Sequence, residues 1–164
     1  MVITIKENRE DMDEKIIKDK LVENFLKYIG IASQSDEKNK KIPSSQGQLR
    51  LGQVLAADLK DLGLCDININ KYGVVQARLP KRGEREKSLG WVAHLDTVDV
   101  GLSDKINPQL IRGYDGKDII LNEDFIISTK ENPEVLAYIG DDLIFTDGTS
   151  VLGADNKAAI ANIM

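Results

Sequence analysis

Leu89-Gly90-Trp91-Val92-Ala93 runs directly into His94-Leu95-Asp96-Thr97-Val98-Asp99. The first five residues carry no polar side-chain group except the Trp91 indole N–H. An uninterrupted apolar run this short suits a central strand covered on both faces. Side chains alternate along a strand, so His94 and Asp96 share a face just past its apolar part. Ligands of α/β sheets bind at that carboxyl end. A metal-bound imidazole commonly donates its other ring N–H to a carboxylate, and Asp96 is placed to be that carboxylate. Taken alone, His94 reads better as a histidine packed at a strand end, because one His does not make a site.

Helices and short strands alternate on either side of this run. Residues 13–29 place Ile17, Leu21, Phe25, Tyr28 and Ile29 at mostly three- and four-residue steps, with Lys18, Lys20 and Glu23 towards water. That is one buried face of an amphipathic helix. A polar loop, SQSDEKNKK, leads to Ile42-Pro43. Ser45 precedes Gln48 by three residues, which predicts a capping box. The helix it opens is expected to reach about Leu62, with Leu51, Leu55, Leu59 and Leu62 as its stripe and Gly63 as its stop. Ile67 and Ile69, then Val75, Ala77 and Leu79, alternate with polar residues as strands do. The charged segment 80–87 reads as a hairpin-like connection. Residues 101–133 carry no strong helix pattern. Residues 119–121 and 125–127 flank Asn122-Glu123-Asp124 as a hairpin, and residues 143–145 form another short strand. Helical composition resumes near Asn156. Met164 falls inside that pattern with no stop signal, so the helix is expected to continue and the chain reads as part of a longer protein.

The 164 residues suit one domain, burying roughly two-thirds of the unfolded surface. With 22 basic and 27 acidic residues the formal charge is −5, which argues against a general nucleic-acid binder. No apolar run reaches the ~18 residues needed to span a bilayer, and the first residues hold no signal-peptide core. The single cysteine, Cys65, fits a reducing cytoplasm. A cytoplasmic protein is therefore expected, with no membrane partner.

The second informative segment is Thr146-Asp147-Gly148-Thr149-Ser150-Val151-Leu152-Gly153-Ala154-Asp155-Asn156-Lys157-Ala158-Ala159. By itself Asp155 reads as a helix N-cap, and Gly148 and Gly153 as turn residues. Together the two segments resemble a known pattern. His-x-Asp-Thr after an apolar strand, then Thr-Asp-Gly-x-x-x-Leu-Gly-Ala-Asp-[Asp/Asn]-Lys-Ala downstream, resembles the two-zinc aminoacylase and carboxypeptidase G family of metallopeptidases. Phe25-Leu26-Lys27-Tyr28, Pro43-Ser44-Ser45-Gln46-Gly47-Gln48 and Asn107-Pro108-Gln109 are similar to stretches of its tripeptide aminopeptidase branch. The resemblance runs from about Phe25 to Met164.

The resemblance implies a three-layer α/β/α sandwich with a mixed central sheet, here incomplete. Residues 1–164 would be the N-terminal part of the catalytic domain, without its lid domain or C-terminal part. It implies a hydrolase that releases the N-terminal residue of tripeptides, with two zinc ions as cofactors. His94 matches a ligand of one zinc, Asp155 the carboxylate that bridges both, and Asp96 the acidic residue that orients the histidine. The peptide after Asp155 is cis in relatives. The family's general-base Glu-Glu pair, a further acidic ligand and a second histidine have no match in this chain. The chain alone is therefore expected not to hydrolyse tripeptides and to bind zinc weakly. A related deacylase or carboxypeptidase, or a non-catalytic binding module, are the competing readings. A small peptide is the expected partner, and homo-oligomerisation is left open. Asn156, where many relatives have Asp, should remove no ligand. Ala159 stands where relatives often have Gly.

Overall fold

A computed structural model describes residues 10–164 except 82, 85 and 86. Helix α1 covers Glu10–Ile29 and α2 covers Gln46–Asp61. Strands β1 (Cys65–Ile69) and β2 (Val75–Arg78) follow, then β3 (Pro108–Ile111), β4 (Ile119–Ile120) and β5 (Ile126–Ile127). A 3-10 turn at Pro133–Tyr138 leads to β6 (Leu143–Thr146) and α3 (Ala154–Ile163). The segment 80–87 lies partly outside the described residues.

The helices bury the faces that their periodicity predicts, with local departures. Phe25, Tyr28 and Ile29 of α1, Leu51 and Leu55 of α2, and Ile160 and Ala161 of α3 form the main core. Ile17, expected on the buried face, is exposed, because residues 14–20 extend past the last packed turn. Leu62 is likewise exposed, one residue beyond the end of α2. Asp58 ties α1 to α2. It accepts hydrogen bonds from Lys27 Nζ at 2.6 and 2.8 Å and from the buried Tyr28 hydroxyl at 2.9 Å. Burial, with Asp58 beside it, pushes the Tyr28 phenol upward.

The predicted capping box does not form. Ser45 makes no side-chain cap bond. Gln48 instead pairs with Ser44, accepting from its backbone N–H and donating to its Oγ, each at 3.2 Å.

The strands pair as three separate antiparallel ribbons, β1 with β2, β3 with β6 and β4 with β5. The chain thus has α/β character. One continuous mixed sheet, expected from the resemblance, does not form among the described residues. The β4–β5 hairpin forms as predicted, and Asn122 Oδ1 accepts the N–H groups of Asp124 (2.7 Å) and Phe125 (3.0 Å) to close its turn. Strand β3 was not legible in the sequence. It is anchored by β6, its partner in register from Pro108↔Thr146 to Ile111↔Leu143. These ribbons enclose a second, smaller core of Tyr114, Ile119 and Val135.

The largest departure is the decisive run itself. Residues 88–93 form no strand, and Trp91 and Val92 are 72% and 94% exposed. Apolarity makes a segment fit to be a central strand, but neighbouring strands and covering helices must come from elsewhere. Regular pairing begins only after His94. Ser35 N–H donates to the Thr97 carbonyl (2.9 Å), Thr97 N–H to the Ser33 carbonyl (3.2 Å), and Ser33 Oγ to the Leu95 carbonyl (2.7 Å). This single parallel bridge holds the His94–Thr97 segment against the end of α1.

Candidate metal centre

His94 and Asp155 are 61 residues apart in sequence and meet in space. His94 Nε2 lies 2.9 Å from Asp155 Oδ1. On the other side of the ring, Nδ1 lies 3.0 Å from the Asp96 backbone carbonyl and 3.3 Å from its carboxylate. Both ring nitrogens therefore face acceptors, an arrangement that suits the doubly protonated ring. The Asp155 hydrogen bond is the main reason that the His94 pKa is raised. The Asp96 carbonyl and both carboxylates add to it, while partial burial opposes it.

Local structure places each group. The bridge between Gln34 and Thr97 fixes the backbone under His94 and Asp96. Asp155 is carried by the first residues of α3, where the backbone is not yet helical. It is no N-cap: α3 has no side-chain cap bond, and the Asp155 carboxylate reaches His94 instead. The Asp155–Asn156 peptide is cis, as the resemblance implies. Gly153 just before it has φ +73°, and a Cβ there would come within 2.9 Å of the Thr97 methyl. The α3 entry thus packs directly against the His94 segment. A cleft of about 260 Å³ opens between them, lined by Ser35, His94, Asp96, Thr97, Gly153 and Asp155. A wider groove of about 400 Å³ meets it at His94 and Asp96 and extends between loop 41–44 and turn 72–75.

The donor set fits zinc in kind but not in number. An imidazole nitrogen and a carboxylate oxygen are ordinary zinc ligands, and neighbouring ligands of a tetrahedral ion lie about 3.3 Å apart. The observed 2.9 Å is close to that spacing and is the length of the hydrogen bond that an ion would replace. Asp96 sits on the far side of the ring, against Nδ1 and away from Asp155. No three His, Cys, Asp or Glu side chains converge on one point among the described residues.

Lys157, which the sequence did not single out, lies behind this site. It is completely buried, and its Nζ has no hydrogen-bond partner among the described residues. It packs 3.7 Å from where a Gly153 Cβ would stand. Burial pushes it down to about 8, against the nearby Asp96 charge. A lysine early in a helix ordinarily reads as solvent-facing, so only its place beside the Gly153 turn could have revealed it.

The chain is similar to known proteins over most of its length. It is 45% identical over 151 residues to peptidase T of Bacillus licheniformis, covering 90% of this chain and 37% of that protein. The chain is a homologue of peptidase T. Peptidase T of Bacillus subtilis matches at 44% over 151 residues, with the same coverage. A peptidase T-like protein of Yersinia pestis matches at 44% over 150 residues, 90% of this chain and 36% of its own length. The chain thus spans little more than a third of the length of these peptidase T relatives. No protein-family model matches it. No helix among its described residues is long and apolar enough to cross a membrane.

Proposed function

We propose that this chain is the N-terminal part of a zinc-dependent tripeptide aminopeptidase, acting in the cytoplasm. The observation that carries the reading is the meeting of His94 and Asp155, which sequence similarity to peptidase T accompanies. His94 Nε2 and the Asp155 carboxylate hold the metal side of the site. The Asp96 carbonyl and carboxylate keep the Nδ1 proton in place, so that Nε2 is the nitrogen offered outward. A zinc ion held by these two residues would supply Lewis acidity for peptide hydrolysis. The cleft at His94 admits a small peptide, and the groove beyond it gives the peptide room to extend. In the complete protein, the open apolar face of residues 89–92 is the central strand of a three-layer sandwich, covered by the rest of the chain. The general base and remaining ligands belong to that remainder, so the 164 residues by themselves are inactive and bind zinc weakly.

Calorimetric zinc titration tests the reading. Zinc binds the chain at pH 8, and His94→Ala and Asp155→Asn each abolish the heat. Because zinc needs the neutral imidazole and the folded chain holds His94 protonated to higher pH than usual, affinity falls as pH drops from 8 to 6. Equal affinity at both pH values would place the ion elsewhere. Tripeptide hydrolysis by the purified chain, freed of host peptidases, would show that the missing groups are not needed.

A further inference from the structure

The Asp155 side chain is 95% exposed, and among the described residues its one hydrogen bond is to His94. Its position must therefore be set by its backbone, and the backbone by whatever holds the loop between β6 and α3. That loop begins in a turn gripped by three carboxamides from two other segments. Asn107 Nδ2 donates to Asp147 Oδ2 at 2.7 Å, and the Asp147 N–H returns a bond to the Asn107 carbonyl at 3.1 Å. Asn122 Nδ2 donates to the Asp147 carbonyl at 2.6 Å. Gln109 Nε2 donates to the Leu121 carbonyl at 2.6 Å and reaches the Thr146 carbonyl at 3.4 Å, linking the two grips.

The turn is also closed from within. Asp147 Oδ1 accepts from Thr149 N–H (3.0 Å) and Oγ1 (2.6 Å), and buried Thr146 Oγ1 donates to the Ser150 carbonyl at 3.1 Å. From Ser150 the chain runs to Gly153, wedged against Thr97 and Ile106, and then to Asp155. Ile106 immediately precedes Asn107, so the same segment holds the loop at both its ends.

We propose that Asn107, Gln109 and Asn122 are positioning residues, a carboxamide clamp that sets the Thr146–Gly153 loop and thereby aims Asp155 at His94. The inference rests on the metal-site reading above for its purpose, but its geometry is independent of any ion. The Asn107–Asp147 bond is exposed and those of Gln109 and Asn122 are part-buried, so the Asn107 grip contributes modestly to overall stability. Their consequence is directional: without the grip on Asp147, the Asp155 carboxylate leaves the imidazole.

The lone histidine makes the test direct. The ring ¹H–¹⁵N signals of His94, recorded at one pH without metal, define the paired state in the native chain and the unpaired state in Asp155→Asn. Asn107→Ala and Asp147→Asn are expected to move these signals towards the Asp155→Asn positions, while the thermal midpoint changes little. The reciprocal double variant Asn107→Asp/Asp147→Asn restores an amide–carboxylate pair and should return the signals. Zinc affinity should follow, falling roughly tenfold in each single variant, the lower end for groups that orient metal ligands, and recovering in the double. Unchanged ring signals in the single variants overturn the proposal, as does failure of the double to recover. If Asn107→Ala does not fold, Thr149→Val, which deletes one bond to Asp147, is read in the same way. Absence of any zinc response in the native chain would count against the metal reading alone, since the metal-free ring signals still decide the clamp.

Discussion

Gly47→Ala lowers the unfolding free energy by about 3 kcal/mol or more, beyond the usual range for overpacking. A Cβ at Gly47 would overlap the Ala32 carbonyl oxygen, lie 2.6 Å from the carbonyl carbon and stand 3.1 Å from Ser33 Cα. All three are backbone atoms, so no side chain can rotate away. The first turn of α2 must separate from the segment that follows α1. That segment carries the Ser33 and Ser35 bonds to residues 95–97, so the displacement also reaches His94. Gly52→Ala is the matched control. It lies in the same helix and meets first a Val75 methyl at 3.2 Å, which can yield, and then a Leu95 methyl and the Gly73 carbonyl oxygen, each at an ordinary contact distance of 3.7 Å. It also gains the ~0.5–1 kcal/mol helix preference of Ala over Gly. Gly52→Ala should therefore stay within about 1 kcal/mol of the native chain. Urea unfolding of the two variants decides the matter, and equal stability would refute the close approach at Gly47.

Stability should rise, not fall, as pH increases from about 8 to 10.5, and Lys157 is the reason. Its folded-state value, pushed down to about 8 from an ordinary 10.5, means that folding expels a proton in this window. Below pH 8 both states are protonated, and the folded state carries the whole cost of a buried ammonium without a partner. Above pH 8 the folded state holds a neutral amine while the unfolded chain still binds the proton, so the cost is progressively relieved. The gap of 10.5 − 8 units corresponds to about 3 kcal/mol. Lys157→Met, similar in length and apolar, isolates this group from the others that titrate in the same range. The variant should be more stable than the native chain at pH 7, and its advantage should shrink by pH 10. An advantage that does not change with pH would mean that Nζ is paired in solution, with Asp96 the nearest candidate.

The sequence by itself determined the elements whose signal is local. The stripe Phe25, Tyr28, Ile29 predicts the buried face of α1, and Leu51 with Leu55 that of α2, because helical period alone decides which residues can face one core. Asn122-Glu123-Asp124 predicts the β4–β5 hairpin, since the Asn side chain closes the turn on its own neighbours. His94, Asp96 and Asp155 were legible as a set only through the joint pattern of two segments, and the sequence marks them as candidates without placing them together. Only the tertiary structure decided what depends on contacts from far along the chain. It tied Gln48 to Ser44 in place of a cap bond at Ser45, turned Asp155 from a helix cap towards His94, and buried Lys157. It gave Gly47 and Asn107 their roles through backbone approach and through a hydrogen bond spanning 40 residues. It also left Leu89-Gly90-Trp91-Val92 open. A run of apolar residues specifies what it prefers to touch, whereas burial requires that the touching surface be supplied by other segments.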